Sequence, residues 1–252
     1  MSTKIFAIAQ SASVAGDLNE NMKRHLHFGE LAAMQGAHFL LFPELSLCGY
    51  ELALAGSCAV RVDAPELNPL RDLARDGQMT VVVGVPLKDD AGVLSLAALA
   101  FRPSGGRMVY AKQNLYGKEK EIFAPGCGGP DFAIGGLSIG LAICADVADP
   151  VHAAAAASRH VAIYAASVFA SEAGYASDAA LLAGYARQHS MTVMMANHSG
   201  TTGGSRSAGR SSLWAANGNL VAACEDDSET LLFGKHTGNN AWEAWTVPVP
   251  RA

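Results

Sequence analysis

The 252-residue chain has no apolar run approaching the roughly 18 to 20 residues needed to span a bilayer. It also lacks a basic cluster. With 18 Lys and Arg against 23 Asp and Glu the formal net charge is −5, whereas nucleic-acid binding needs clustered cations to displace counterions. Cysteine is scarce and unpaired in pattern: the five residues, at positions 48, 58, 127, 144 and 224, are odd in number and lack C-x-x-C spacing. Reduced thiols in a cytoplasmic protein, with no metal site, are the expectation. His25 and His27 stand two apart on a predicted helix, so they point in different directions and do not share a metal. The glycine-rich stretch Gly200–Gly209 lacks the Gly-Lys-Ser/Thr ending of a phosphate loop. The N-terminal Ile5-Phe-Ala-Ile-Ala9 is too short for a signal h-region and reads as a first strand. Nucleic acid and membrane are thereby set aside as partners.

What is present is apolar. Half of the residues are hydrophobic and only 16% are charged, enough for one large core, and the whole of 1–252 reads as one domain. Strand-like and helix-like segments alternate. Lys4–Gln10 is a strand, and Asp17 with Glu20 three residues on opens a helix that runs to Gln35 and stops at Gly36. Phe39–Phe42 and Thr80–Val85 are buried strands, with a helix between them capped at Asn68-Pro69 and closing near Gly77. Leu94–Phe101 with Met108–Ala111, and Asp131–Ile134 with Leu137–Ile143, form two hairpins. An alanine-rich helix follows near Pro150, then a strand at His160–Ala165 and a helix capped by Asp178 and ending at Ser190. Thr192–Asn197, Ser211–Trp214 and Leu220–Ala223 are further strands, and the segment after Asn240 shows no periodicity. The pattern suggests two related halves in a layered α/β fold.

Three polar residues sit where apolar strands stop. Cys144 ends Leu137-Ser-Ile-Gly-Leu-Ala-Ile-Cys-Ala-Asp146, Glu44 follows Phe39-Leu-Leu-Phe-Pro43, and Lys112 follows Met108-Val-Tyr-Ala111. Each has an ordinary reading when taken singly. A buried free cysteine is usually a small core residue, a lysine after a strand is normally solvated, and a glutamate at a turn faces water. A carboxylate buried without a partner costs several kcal/mol. Strand ends are also where α/β folds place chemistry, and a base, an ammonium and a thiol gathered there suit a cysteine-dependent hydrolase.

The same segments resemble the nitrilase superfamily of carbon–nitrogen hydrolases. Phe42-Pro-Glu-Leu-Ser-Leu-Cys-Gly-Tyr50 is similar to the first signature, Tyr110-Ala-Lys-Gln-Asn-Leu-Tyr-Gly-Lys-Glu-Lys-Glu-Ile-Phe-Ala-Pro-Gly126 to the second, and Gly140-Leu-Ala-Ile-Cys-Ala-Asp146 to the third. Ala186–Asn197 and Ala208–Asn219 resemble later segments in the right order. The resemblance implies a four-layer α-β-β-α sandwich, Glu44 as general base, Lys112, Cys144 as nucleophile, and Glu119 as a second glutamate counted with them. It implies at least a homodimer, with Trp242 and Trp245 as candidate contacts, and no cofactor. Lys112 and the backbone N–H of Ala145 would meet the charge that develops on the amide oxygen. A nearby ammonium would favour the thiolate, and Glu44 or Glu119 would protonate the leaving amine.

The departures bear on substrate. Val147-Ala-Asp-Pro-Val151 follows Cys-x-Asp where the family often shows a basic residue, and Asn114 replaces a histidine common after the lysine. True nitrilases typically follow the nucleophile with tryptophan and glutamate, unlike Cys144-Ala145-Asp146. A small, uncharged or weakly polar linear amide is therefore expected as substrate, with an N-carbamoyl amine or a nitrile as alternatives. A catalytically silent binding or assembly module is the reading from outside the enzymes, and the intact Glu44, Lys112 and Cys144 argue against it.

Overall fold

A computed structural model describes residues 3–238 and 241–250. In chain order the elements are β1 (Lys4–Gln10), α1 (Leu18–Met34), β2 (Phe39–Leu41), α2 (Ala55–Cys58), α3 (Asn68–Asp76), β3 (Thr80–Lys88), β4 (Leu94–Phe101) and β5 (Arg107–Ala111). They continue with β6 (Phe132–Ile134), β7 (Leu137–Ile143), α4 (Ala145–Ala148), α5 (Pro150–Ser158), β8 (Ile163–Ser167), α6 (Tyr175–His189) and β9 (Thr192–Ala196). The last six are β10 (Thr201–Thr202), β11 (Ser205–Arg206), β12 (Ser212–Trp214), β13 (Leu220–Ala223), β14 (Thr230–His236) and β15 (Trp242–Pro248).

Alternating side chains sort these elements into layers. In β1, Phe6 and Ile8 enter one core while Ala7 and Ala9 enter another, as the two-residue strand period requires. The first core lies between two mixed sheets, ordered β15-β14-β1-β2-β3-β4-β5 and β13-β12-β9-β8-β7-β6. Ile139 and Leu141 of β7 and Met194 of β9 meet Phe39 and Val82 across it. The second core packs Leu40, Val81 and Val83 against Phe28 and Ala32 of α1 and Leu70 of α3. The third packs Tyr164, Val193 and Met195 against Ala153 and Ala156 of α5 and Leu182 and Ala186 of α6. Three cores between four layers make the expected α-β-β-α sandwich. Each sheet has three adjacent parallel strands, β1-β2-β3 and β7-β8-β9, joined by helical crossovers.

Three helices end in the same hydrogen-bond pattern. After α1, α3 and α5 the N–H groups of Gly36, Gln78 and His160 bond to Ala33, Arg75 and Ala157, and those of Ala37, Met79 and Val161 bond to Ala32, Ala74 and Ala156. This paired closure demands a left-handed residue just past the cap, supplied at φ values of 72°, 49° and 61°. Only the first is a glycine. The expected strand His160–Ala165 therefore starts at Ile163, because His160 and Val161 are spent closing α5. Two expected caps also fall inside helices. Asn68 is the first residue of α3, entered from a 3-10 turn at Pro65–Leu67, and α6 opens at Tyr175 with Gly174 at its cap, leaving Asp178 in the first turn.

The C-terminal segment is not irregular. β15 pairs along its whole length with β14, from Thr230↔Pro248 to His236↔Trp242. The two tryptophans expected to meet a partner find contacts within the chain. Trp242 stands edge-on to Phe6 with centroids 5.5 Å apart and donates its indole N–H to Thr192 Oγ1 at 3.1 Å. Trp245 stacks on Phe233 at 5.2 Å. No helix among the described residues is long and apolar enough to cross a membrane.

His160 is exposed and left-handed, a conformation that costs a non-glycine residue about 1 kcal/mol or more. His160→Gly is expected to stabilise the fold by about 0.5–1 kcal/mol after the added unfolded-state entropy of glycine is subtracted. Urea unfolding of the two proteins is the measurement.

Candidate active site

Glu44 lies beyond β2 in a loop pressed against β3. A Cβ on Gly84 would come 2.2 Å from Leu45 N and 2.6 Å from Pro43 O, so only glycine admits this approach. Leu47 N–H donates to Gly84 O at 3.0 Å, and Gly84 N–H donates to Ser46 Oγ at 3.1 Å. Two bonds tie the loop to the second sheet: Ser167 Oγ donates to Phe42 O at 2.8 Å, and His198 Nε2 donates to Glu44 O at 2.7 Å. Burial pulls His198 down to about 4, so it serves as a neutral donor.

Lys112 leaves β5 with its N–H on Leu96 O at 2.8 Å, and its own carbonyl receives Gly126 N–H at 2.7 Å. Glu119 stands in a 3-10 turn, Gly117–Glu121, where its Oε2 accepts Tyr116 N–H at 2.8 Å. The side chains of Glu44, Lys112 and Glu119 are all fully buried. Lys112 Nζ lies 2.6 Å from Glu44 Oε1 and 2.8 Å from Glu119 Oε1, and Tyr50 OH donates to the same Glu119 oxygen at 2.7 Å.

Cys144 occupies a sharp elbow between β7 and α4, at φ 41° and ψ −98°. Its N–H bonds to Ser167 O at 3.0 Å, its carbonyl receives Val147 N–H at 2.8 Å, and Sγ is 3.9 Å from Phe169 O. Strain of this kind gathers at functional sites and persists when surroundings over-determine it. Asp146 is the fastener: its Oδ1 accepts Gln113 and Asn114 N–H at 3.1 and 2.8 Å, and its Oδ2 accepts Ile143 N–H at 3.1 Å and Tyr110 OH at 2.7 Å. One buried carboxylate thus locks the thiol's elbow to the strand end that carries Lys112. Ala145 opens α4, so its N–H has no partner within the helix.

The four side chains singled out from sequence therefore come together with the Ala145 amide. The sequence reading missed Tyr50, Asp146 and His198. The aspartate two residues after the cysteine was a visible signal. The tyrosine and histidine carried none, because their partners lie far away along the chain. The expected pull of the Lys112 ammonium on the thiol is present, but it is outweighed. Burial pushes the Cys144 thiol well above its ordinary value, the Glu44 carboxylate adds to the shift, and Lys112 offsets only part. The resting group is a thiol rather than a thiolate. Burial likewise pushes Glu44 up to about 7, against the pull of Lys112. Lys112 itself is held charged: burial lowers it, but Glu44, Cys144 and Glu119 together outweigh that. Glu44 Oε2 is buried with no hydrogen-bond partner, whereas both oxygens of Glu119 are engaged.

The thiol opens into a cavity of about 400 Å³ lined chiefly by apolar side chains, among them Val147, Val168, Phe169 and Leu182. No group of three or more His, Cys, Asp or Glu among the described residues is placed to hold a metal ion.

The Carbon-nitrogen hydrolase family profile matches residues 6–237. The chain belongs to the carbon-nitrogen hydrolase family. Its fold is similar to that of an amidase from Nesterenkonia sp. AN1, in a variant showing the result of Michael addition of acrylamide at the active-site cysteine. The TM-score is 0.83 at 26% identity, over 91% of this chain and 92% of that one. A second variant of that amidase, in complex with butyramide, also gives a TM-score of 0.83 at 26% identity, over 91% and 89% of the two chains. A glutamine-dependent NAD(+) synthetase from Thermotoga maritima is 29% identical over 157 residues, 60% of this chain. The carbon-nitrogen hydrolase chain spans only 27% of that relative's length.

Replacing Lys112 by methionine would leave two buried carboxylates without their cation, a loss of about 3–5 kcal/mol near neutral pH. Glu44 is raised in the fold above its ordinary value of 4.5 to about 7. Its contribution to stability is therefore fully present below about 4.5 and lost as pH rises through about 7. Lys112→Met is accordingly expected to be less destabilised at pH 5 than at pH 8, as measured by urea unfolding at the two pH values.

Proposed function

We propose that the chain hydrolyses the carbon–nitrogen bond of a small linear amide through a Cys144 thioester, releasing ammonia. The observation that carries this reading is the unpartnered, buried Oε2 of Glu44, on a carboxylate poised near 7 close to a protonated thiol. A general base works best when its pKa lies near the working pH.

In the proposed sequence, Glu44 takes the Cys144 proton as Sγ attacks the amide carbon. Lys112 Nζ has three N–H bonds, two of them committed to Glu44 and Glu119. The third, with the Ala145 N–H, faces the oxygen on which charge develops. Glu44 passes its proton to the departing nitrogen, and ammonia leaves the thioester. Water then enters, Glu44 removes its proton, and hydroxide adds to the thioester carbon. Collapse releases the carboxylic acid and returns the proton to sulfur. Glu119, with both oxygens engaged, orients Lys112 and Tyr50 and takes no proton. We further propose, on the family resemblance, that the chain acts as one domain in a homodimer or higher oligomer, in the cytoplasm.

Alkylation by itself would not single out the nucleophile, because Cys127 is the exposed thiol. The decisive test is mass mapping of acid-quenched enzyme during turnover of butyramide, with the acyl adduct expected on the Cys144 peptide. An adduct on any other cysteine, or Cys144→Ala retaining ammonia release, would overturn the assignment. Glu44→Gln is expected to lower kcat by about 10²–10⁴-fold. As pH falls below about 7 Glu44 takes up a proton and ceases to be a base, so kcat/KM of the parent enzyme should fall on an acid limb near that value. A profile flat from pH 5 to 8 would contradict the role.

A further inference from the structure

The cavity over Cys144 has one charged lining residue, and it is an acid. Asp178 stands in the first turn of α6 and lines the same space as Cys144 and Ala145. Most of the other walls are apolar or small, and no basic side chain is among them; Lys112 meets the space only at its floor, behind Cys144. On α6, Asp178, Leu182 and Tyr185 are spaced i, i+4 and i+7, one face of the helix. That face turns toward the nucleophile: Leu182 and Tyr185 are buried, and Tyr185 OH donates to Val147 O on α4 at 2.9 Å. Asp178 is thus the position at which an apolar stripe, packed against the elbow's own helix, gives way to a carboxylate facing the cavity.

The carboxylate suits the dipole of the first turn of α6 but makes no hydrogen bond there. Gly174 is the cap residue of α6, and no side chain caps its free N–H groups, so Asp178 is not a helix cap. Ser171 Oγ, which also borders Gly174, accepts the Gly174 N–H at 3.3 Å. The nearby cations are engaged elsewhere: Arg206 pairs with Asp227 at 2.9 Å, and the Arg210 guanidinium lies 5.3 Å from the centre of the Tyr175 ring. Among the described residues Asp178 has neither an ion-pair partner nor a hydrogen-bond donor on its side chain. Partial burial alone already raises its pKa, with no compensating charge in the protein. Half-buried and without a protein partner, the carboxylate is free to pair with a cation that enters the cavity.

Resting on the amidase reading, we infer that Asp178 is a specificity-determining residue that binds an ammonium group at the far end of the substrate's acyl chain. The substrate class is then an amino-amide: an amide carbon over Cys144, a short methylene chain along the apolar walls, and a cation against Asp178. The neutral aliphatic amide expected from sequence fits the walls but leaves the carboxylate unpaired, and an acid-ended amide would set two like charges together.

The test compares 4-aminobutanamide, pentanamide and glutaramate, which share chain length and differ in the terminal group. Ratios of kcat/KM within each enzyme are read, so partial misfolding of a variant cancels. The parent enzyme should favour 4-aminobutanamide over pentanamide by about tenfold or more, as one charge-assisted hydrogen bond provides. Asp178→Asn should bring that ratio to about one, and Asp178→Lys should invert the preference toward glutaramate. Turnover of pentanamide with no preference for the amine, or a preference that survives Asp178→Asn, overturns the inference and leaves the amidase reading standing. Ammonia release from none of the three overturns the amidase reading and the inference with it.

Discussion

A single buried ammonium between two buried carboxylates sets the terms for the rest of the site. Lys112 neutralises one negative charge fully, and the second must be accommodated in a medium that stabilises it poorly. The structure divides the burden unequally. Glu119 is given Lys112, Tyr50 OH and Tyr116 N–H, so both of its oxygens are occupied. Glu44 is given Lys112 on one oxygen and nothing on the other, and burial pushes its pKa to about 7. In the proposed reaction the carboxylate left short of partners is the one that carries the proton back and forth.

This division depends on bringing both sheets together at their strand ends. Glu44 and Lys112 come from the first sheet, while Cys144 comes from the second. The sheets are joined beside the site by the Ser167-to-Phe42 and His198-to-Glu44 hydrogen bonds, and by Asp146 accepting from residues 113 and 114. Each of these bonds is buried at least in part, where an unmade bond costs about 1–3 kcal/mol. Relative sliding of the sheets would break several at once. The inter-sheet core of Phe39, Val82, Ile139, Leu141 and Met194 thus serves catalysis by holding register as well as by contributing stability.

Helix ends and the last strand show where a sequence reading fails locally. Gly36 signals the end of α1 because glycine is the usual left-handed residue there. Gln78 and His160 take the same conformation with no glycine to mark it, since tertiary packing of the following strands holds them in place. Trp242–Pro248 is a full strand at the sheet's edge, covered only in part on either face, so its alternation is too faint to stand out. Asp178 resembles a cap in sequence, and only the turn formed by Ser171 and Gly174 moves the helix start ahead of it.

The sequence by itself determined a layered α/β class and singled out Glu44, Lys112 and Cys144, because strand endings are local properties written in consecutive letters; the four-layer sandwich and Glu119 followed from the resemblance of its motifs. It also determined that the residues following the cysteine supply no cation. Only the tertiary structure decided which carboxylate has an unpartnered oxygen, that burial raises the thiol, and that an acid lines the cavity over Cys144. Those are properties of burial and of partners remote along the chain. A pKa is set by what surrounds a group after the layers close, and no neighbour in sequence specifies that.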